Sequence, residues 1–246
     1  MRKTVLFLLL IGGRPASAGP PFVTDDPEPV DYRHFEINMA MQGTYAKDGR
    51  AGAWPTIDAN YGLLPGVQFH VGLFAGFSRA DGEPFRYGYG DTEAGLKYRF
   101  IDEDEEGWRP QMAVYPITQF PTGSGGKGLG AGHQRTILPI WAQKSFGDWT
   151  TYGGGGYWLN RSGIDRDYWF AGWVLSRKMN EEWSLGGELF HNSATQAGAR
   201  AATGFNLGGS YNFDEENHLL FTFGRGLRNA DATDRFAYYL GCQRQF

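Results

Sequence analysis

Residues 238–246 read YYLGCQRQF. Together with Phe236, the residues Tyr238, Leu240, Cys242 and Phe246 fall on one parity, while Gly241, Gln243 and Gln245 fall on the other. A period of two places successive side chains on opposite faces of a β-strand, here one apolar face and one polar face. Chain ends usually fray and have little reason to keep such a pattern. An alternation carried through to Phe246 therefore predicts a strand whose edges are both paired.

The same alternation recurs along the chain. Its clearest copy begins at Val67, where Val67, Phe69, Val71, Leu73, Ala75 and Phe77 alternate with Gln68, His70, Gly72, Phe74, Gly76 and Ser78. Comparable segments span 32–45, 54–62, 90–100, 108–121, 134–146, 149–160, 167–178, 183–193, 203–213, 218–226 and 235–246, which makes twelve with 67–78. The connections near 63–66, 102–107, 147–148, 179–182 and 214–217 are short. Those near 46–53, 79–89, 122–133, 161–166, 194–202 and 227–234 are longer on average. Short turns on one side and long loops on the other predict an all-β, transmembrane, antiparallel up-and-down β-barrel of about twelve strands, with both termini in the periplasm. Aromatics expected at the two membrane interfaces include Tyr32, Phe100, Phe146 and Phe246 at one end and Tyr45, Trp54, Phe120, Trp158 and Phe236 at the other. Pro110, Pro116 and Pro139 lie inside expected strands and predict bulges or bends, because each removes a ladder donor.

The beginning of the chain agrees with export. Arg2 and Lys3 precede the apolar run TVLFLLLIGG, and Ala16-Ser17-Ala18 forms a small-residue cleavage site, so residues 1–18 read as a signal peptide. Residues 19–31 then read as a periplasmic N-terminal segment and 19–246 as one barrel domain. The formal charge of −4 becomes −7 once Arg2, Lys3 and Arg14 leave with the leader, and this acidic balance without basic clusters argues against nucleic acid as a partner. The single Cys242 excludes an internal disulfide framework. With 37 glycines and 16% aromatic residues, the composition suits tightly turned β-structure rather than helices.

The parity of the polar residues picks out the candidate functional positions. Glu36, Asn38, Asp58, Asn60, His70, Asp91, Glu93, Lys97, Arg99, Glu188 and Asn206 all fall opposite an apolar face. A Lys or Arg facing lipid near the midplane costs about 2–4 kcal/mol, so these residues are expected to line a lumen. Such a lumen is either watered or closed by ion pairs, since an unpaired charge in a dry interior is costly.

Four stretches, GPPFVTDDPEPV at 19–30, GDTEAGLKYRF at 90–100, ITQFPTGSGGKGLGAG at 117–132 and LPIWAQKSFGDWTTYGGGGYW at 138–158, resemble the bacterial outer-membrane proteins grouped under the MetA pathway of phenol degradation. The resemblance spans essentially the whole mature chain. It implies an outer-membrane β-barrel that transports hydrophobic or aromatic compounds, and it supplies no catalytic residue.

Three function classes follow. The first is a bacterial outer-membrane channel or transporter for small, hydrophobic or aromatic solutes, with lipid and solute as its partners and neither cofactor nor metal. The second is a lipid-facing hydrolase built on His191 and Ser193, which share a strand face two residues apart. Its weakness is the third group needed to orient the histidine, because Asn206 falls on the inward parity. The third is a closed structural or adhesive barrel. The glycine-rich run at 123–130 lacks the Lys-Ser/Thr pair of a phosphate loop, and the acidic turn DEDEEG at 102–107 lacks EF-hand spacing, so neither adds a site. On balance the chain reads as a non-enzyme.

Overall fold

The computed structural model describes residues 20–104 and 106–246, so the expected leader at 1–18 lies outside the described residues. Fourteen strand segments follow one another: β1 (Phe35–Ala46), β2 (Gly49–Leu64), β3 (Val67–Ala80), β4 (Arg86–Tyr89), β5 (Thr92–Ile101), β6 (Gln111–Val114), β7 (Ile117–Phe120), β8 (Arg135–Phe146), β9 (Trp149–Leu159), β10 (Tyr168–Lys178), β11 (Trp183–Asn192), β12 (Ala202–Asn212), β13 (Asn217–Arg228) and β14 (Phe236–Gln245). Every pairing between these strands is antiparallel.

Two pairs of segments are halves of single staves. Both β4 and β5 pair with β3, and they are separated only by Gly90-Asp91. Both β6 and β7 pair with β5 and β8, and are separated only by Tyr115-Pro116. Pro116 cannot donate to a ladder, and the stave breaks there. The result is a closed twelve-stranded barrel whose seam is β1 against β14, from Glu36↔Gln245 to Tyr45↔Phe236. At that seam Phe35 and Phe246 exchange backbone hydrogen bonds of 2.7 and 3.0 Å, and their rings stack with centroids 5.6 Å apart. The alternation persists to Phe246 because Phe246 is a paired residue.

The remaining prolines depart from the expected pattern in instructive ways. Pro110 precedes β6 rather than lying inside a strand. Pro139 sits within an uninterrupted β8, opposite Gly156, so no break occurs there. A bulge does fall at Trp54-Pro55, two residues that face the single Met41 of β1 and the single Ala75 of β3, and the register shifts again at Arg99/Ile101 opposite the start of β6. Because β2 already begins at Gly49, the expected long connection at 46–53 shrinks to the turn Lys47-Asp48. The small residues of GRAGA had hidden the alternation of that half of the strand.

Outward faces carry Met39, Leu73, Leu96, Leu138, Ile140, Trp173, Leu189, Leu207 and Leu240, all exposed. This apolar belt is what a bilayer covers, and closure leaves no unpaired edge within it. Trp158, expected at an interface, is only 1% exposed and points into the barrel.

Candidate functional site

The interior is occupied by the chain itself. Residues 20–31, which belong to the expected periplasmic N-terminal segment 19–31, are packed within the barrel, and Thr24 and Asp25 are fully buried. The sequence PPFVTDDPEPVD explains how irregular backbone can enter a protein interior. Prolines 20, 21, 27 and 29 carry no N–H, so fewer donors require partners. Several of those that remain are met by side chains of the barrel wall. Val23 N donates to Glu188 Oε2 at 3.2 Å, Thr24 N donates to Glu188 Oε1, and Val30 N donates to Gln68 Oε1 at 2.8 Å. In the reverse direction Thr222 Oγ1 donates to the Pro21 carbonyl at 3.0 Å.

Ion pairs fix the acidic half of the segment. Lys97 Nζ lies 3.0 Å from Asp25 Oδ1 and 3.4 Å from Asp26 Oδ1, and also donates to the Glu28 carbonyl at 3.1 Å. Arg99, nearer the rim, pairs with Glu28 at 2.8 Å and with Asp102 at 2.9 Å. Thr24 occupies the space beside Gly172, where any Cβ would collide with Thr24 Oγ1.

Two unlike walls surround the segment. One is polar and built by β1, β2, β3 and β5. Glu36 Oε1 accepts from Asn38 Nδ2 at 3.0 Å and Asn60 Nδ2 at 3.1 Å, Asn60 Oδ1 accepts from Gln68 and His70, and His70 Nε2 lies 3.1 Å from Glu93 Oε1. The other wall is aromatic: Tyr115, Ile117, Ile137, Trp141, Trp158, Tyr168, Phe170 and Phe190 form one buried cluster, and Val23 packs against it. A cavity of about 570 Å³ runs from the rim at His34, Phe35 and Gln245 between the segment and the polar wall, reaching Asp58, His70, Lys97 and Tyr115.

The sequence-derived candidates therefore separate by depth. Asn38, Asp58, Asn60, His70, Glu93, Lys97, Glu188 and Asn206 are buried within the barrel, Glu36 and Arg99 are half-buried, and Glu188 accepts from Asn206 Nδ2 at 2.6 Å. Asp91 serves the far loop instead: its carboxylate accepts from Gly123 N at 3.0 Å and Ala131 N at 2.7 Å. His191 and Ser193 are engaged separately, His191 Nδ1 with Thr203 Oγ1 at 2.8 Å and Ser193 Oγ with Trp169 N at 2.9 Å. Asn206 is spent on Glu188, so the geometry does not assemble a hydrolytic triad. The inward aromatic wall and the partners Asp25, Asp26 and Gln119 were not singled out from the sequence.

The sequence model of the family described as "Putative MetA-pathway of phenol degradation" matches residues 14–241. The chain belongs to this family. Its barrel is similar to that of the COG4313 outer membrane channel from Pseudomonas putida F1, with a TM-score of 0.72 and 18% identity over 90% of this chain and 98% of that one. The KdgM porin in complex with disordered oligogalacturonate gives a TM-score of 0.59 at 12% identity, covering 87% and 99% of the two chains. A NanC porin gives 0.58 at 9%, covering 85% and 98%. At these identities the likeness is one of fold, that of an outer-membrane β-barrel. Among curated proteins no relative matches the chain.

Proposed function

We propose that this family member is an outer-membrane channel or transporter for small solutes, in which residues 20–31 act as a resident plug. The observation that carries the reading is the seat of that segment. It is held by side chains rather than by a sheet ladder, through Lys97 on one wall and Glu188 on another, and a few side-chain bonds are far easier to release than a barrel strand. The solute class this supports is small and hydrophobic or aromatic, because the wall opposite the charges offers Trp141, Trp158, Phe170 and Phe190. The loops 121–134, 160–167, 193–201 and 229–235 lie at the end remote from Phe35 and Phe246. By the usual rule for such barrels that end is extracellular and both termini are periplasmic.

Planar-bilayer recording tests this. The full barrel should give small or brief conductance steps, and a variant lacking residues 20–31 should give large, sustained ones. A second reading, a closed structural barrel, draws on the same ion pairs, since Lys97 and Arg99 are already neutralised by the segment. Silence from both proteins, each shown to be folded by its heat-dependent gel mobility, would establish the closed barrel and reject the channel.

A further inference from the structure

Among the buried groups that the plug and its salt bridges leave unused is a carboxylate of the polar wall. Asp58 is 2% exposed, and neither of its carboxylate oxygens has a hydrogen-bond partner. It faces His70 and Glu93, also buried, and one ligating atom from each of the three lies within 4.8 Å of the others. The sheet register explains the convergence: Asp58 of β2, Gly72 of β3 and Glu93 of β5 form one row across the sheet, with His70 one step along the same face. Gly72 leaves the row open at its centre, where a Cβ would meet Glu93 Cγ at 2.7 Å.

The protonation pattern singles out a cation. Asn60 Nδ2 donates to Glu36, which turns Asn60 Oδ1 toward His70 Nδ1 at 2.9 Å, so Nδ1 carries the hydrogen. In the neutral ring Nε2 is then a bare lone pair, 3.1 Å from an oxygen of Glu93 that has only lone pairs to offer. Two acceptors at that distance need a proton or a metal ion between them, and the unpartnered Asp58 carboxylate beside them supplies a third ligand for the latter. Ligand bonds of about 2.0–2.2 Å to a shared metal ion would place this nitrogen and oxygen at such a separation.

The surroundings match what a metal site requires. Each ligand is aimed by its other end: His70 through Asn60, and Glu93 through Oε2, which accepts from Gln119 Nε2 at 2.9 Å while Gln119 is in turn held by Arg135. The cavity from the rim reaches Asp58 and His70, which gives an ion an entry path. Of the buried cations among the described residues, Lys97 is paired with Asp25, and Arg135 donates to Gln119.

We propose that Asp58, His70 and Glu93 bind one divalent first-row transition ion of the zinc type, selected by one imidazole and two carboxylates without thiolate, at the inner end of the vestibule. The ion would neutralise two carboxylates that otherwise face each other across Gly72, and bound water would complete its coordination.

The test uses the full barrel, untagged, folded in detergent and stripped with a chelator, then titrated with Zn²⁺ and, as a spectroscopic probe, Co²⁺. One equivalent of Zn²⁺ should bind, and Co²⁺ should develop d–d absorption that Zn²⁺ displaces. Asp58→Asn and His70→Ala should each weaken binding by at least about 100-fold, and Asn60→Ala, acting through the histidine, by about 10-fold. Heat-dependent gel mobility verifies that each variant is a folded barrel, and Glu93→Gln replaces any that is not. No binding by the folded protein, with His70 titrating as an imidazolium by NMR, would overturn the proposal in favour of a proton between His70 and Glu93. Binding that persists in His70→Ala but is lost in His34→Ala or His218→Ala, the histidines at the vestibule rim, would overturn it too.

Discussion

Lys97 Nζ sits 3.0 Å from Asp25 Oδ1 with both side chains almost fully buried, 4% and 1% exposed. This contact joins a barrel wall to a segment 72 residues earlier in the chain. Removing one partner of a buried pair leaves the other charge uncompensated, at a cost of about 3–5 kcal/mol. Lys97→Met is therefore expected to loosen the plug more than the barrel. Channel recordings should show longer openings, while the temperature at which gel mobility changes should fall only slightly. Unchanged conductance alongside a barrel that no longer folds would assign Lys97 to wall stability instead.

Gly172 tests the same seat without touching a charge. Any side chain there collides with Thr24 Oγ1, so Gly172→Val should eject residues 23–25 from their place beside Glu188. The expected readout is protease cleavage within residues 20–31 of the folded barrel, absent in the parent. Parent and variant alike resisting cleavage would show that the segment can settle elsewhere in the lumen.

The seam at Phe35 and Phe246 predicts an asymmetry between two deletions. Removing Phe246 abolishes two backbone hydrogen bonds and a ring stack at the closing edge, whereas residues 122–132 form a loop tied to its neighbours Tyr87, Tyr89, Asp91 and Thr92 at the far rim. Membrane-inserted protein should drop severalfold in the first deletion and stay near the parental level in the second. Equal losses would contradict the closure of β1 on β14.

Asp234 gives a pH dependence outside the membrane. Burial in the loop 229–235 pushes its carboxyl up to about 6, against an ordinary value of 3.8. The folded loop thus holds its proton to higher pH than the unfolded chain, so this group's penalty is absent below about 4, grows as pH rises and is complete above about 6. Asp234→Asn removes the penalty. Amide exchange of loop 229–235 at pH 7 should slow by about tenfold or more in the variant, with parent and variant converging at pH 4. A constant difference across that range would refute the assignment.

The barrel was legible because its determinant is local: alternation every second residue marks each strand, and Phe69, Val71 and Leu73 against His70 and Gly72 is as plain in sequence as in space. Reading failed where a rule has exceptions that only neighbours decide. Trp158 looked like an interface residue, and it turned inward because in this barrel the inner face of β7 to β11 is aromatic as well. The plug could not be read at all. TDDPEPV has no period, and its partners Lys97 and Glu188 lie 72 and 164 positions away, where side chains and not backbone patterns set the contact. Parity assigned Asp58, His70 and Glu93 to a common side of the sheet, but their convergence depends on the pairing register and on the missing side chain of Gly72.

The seam also governs how the protein reaches its destination. Gln245 bonds Glu36 across 209 positions of sequence, so the sheet cannot close until both ends of the chain are in the same compartment. Until then the edges of β1 and β14 remain open to pairing with other chains. Alternation suits that journey: it keeps mean hydropathy negative, and no helix among the described residues is long and apolar enough to lodge in the first membrane crossed. The pattern that makes a lipid-facing wall after assembly makes a secretable polypeptide before it.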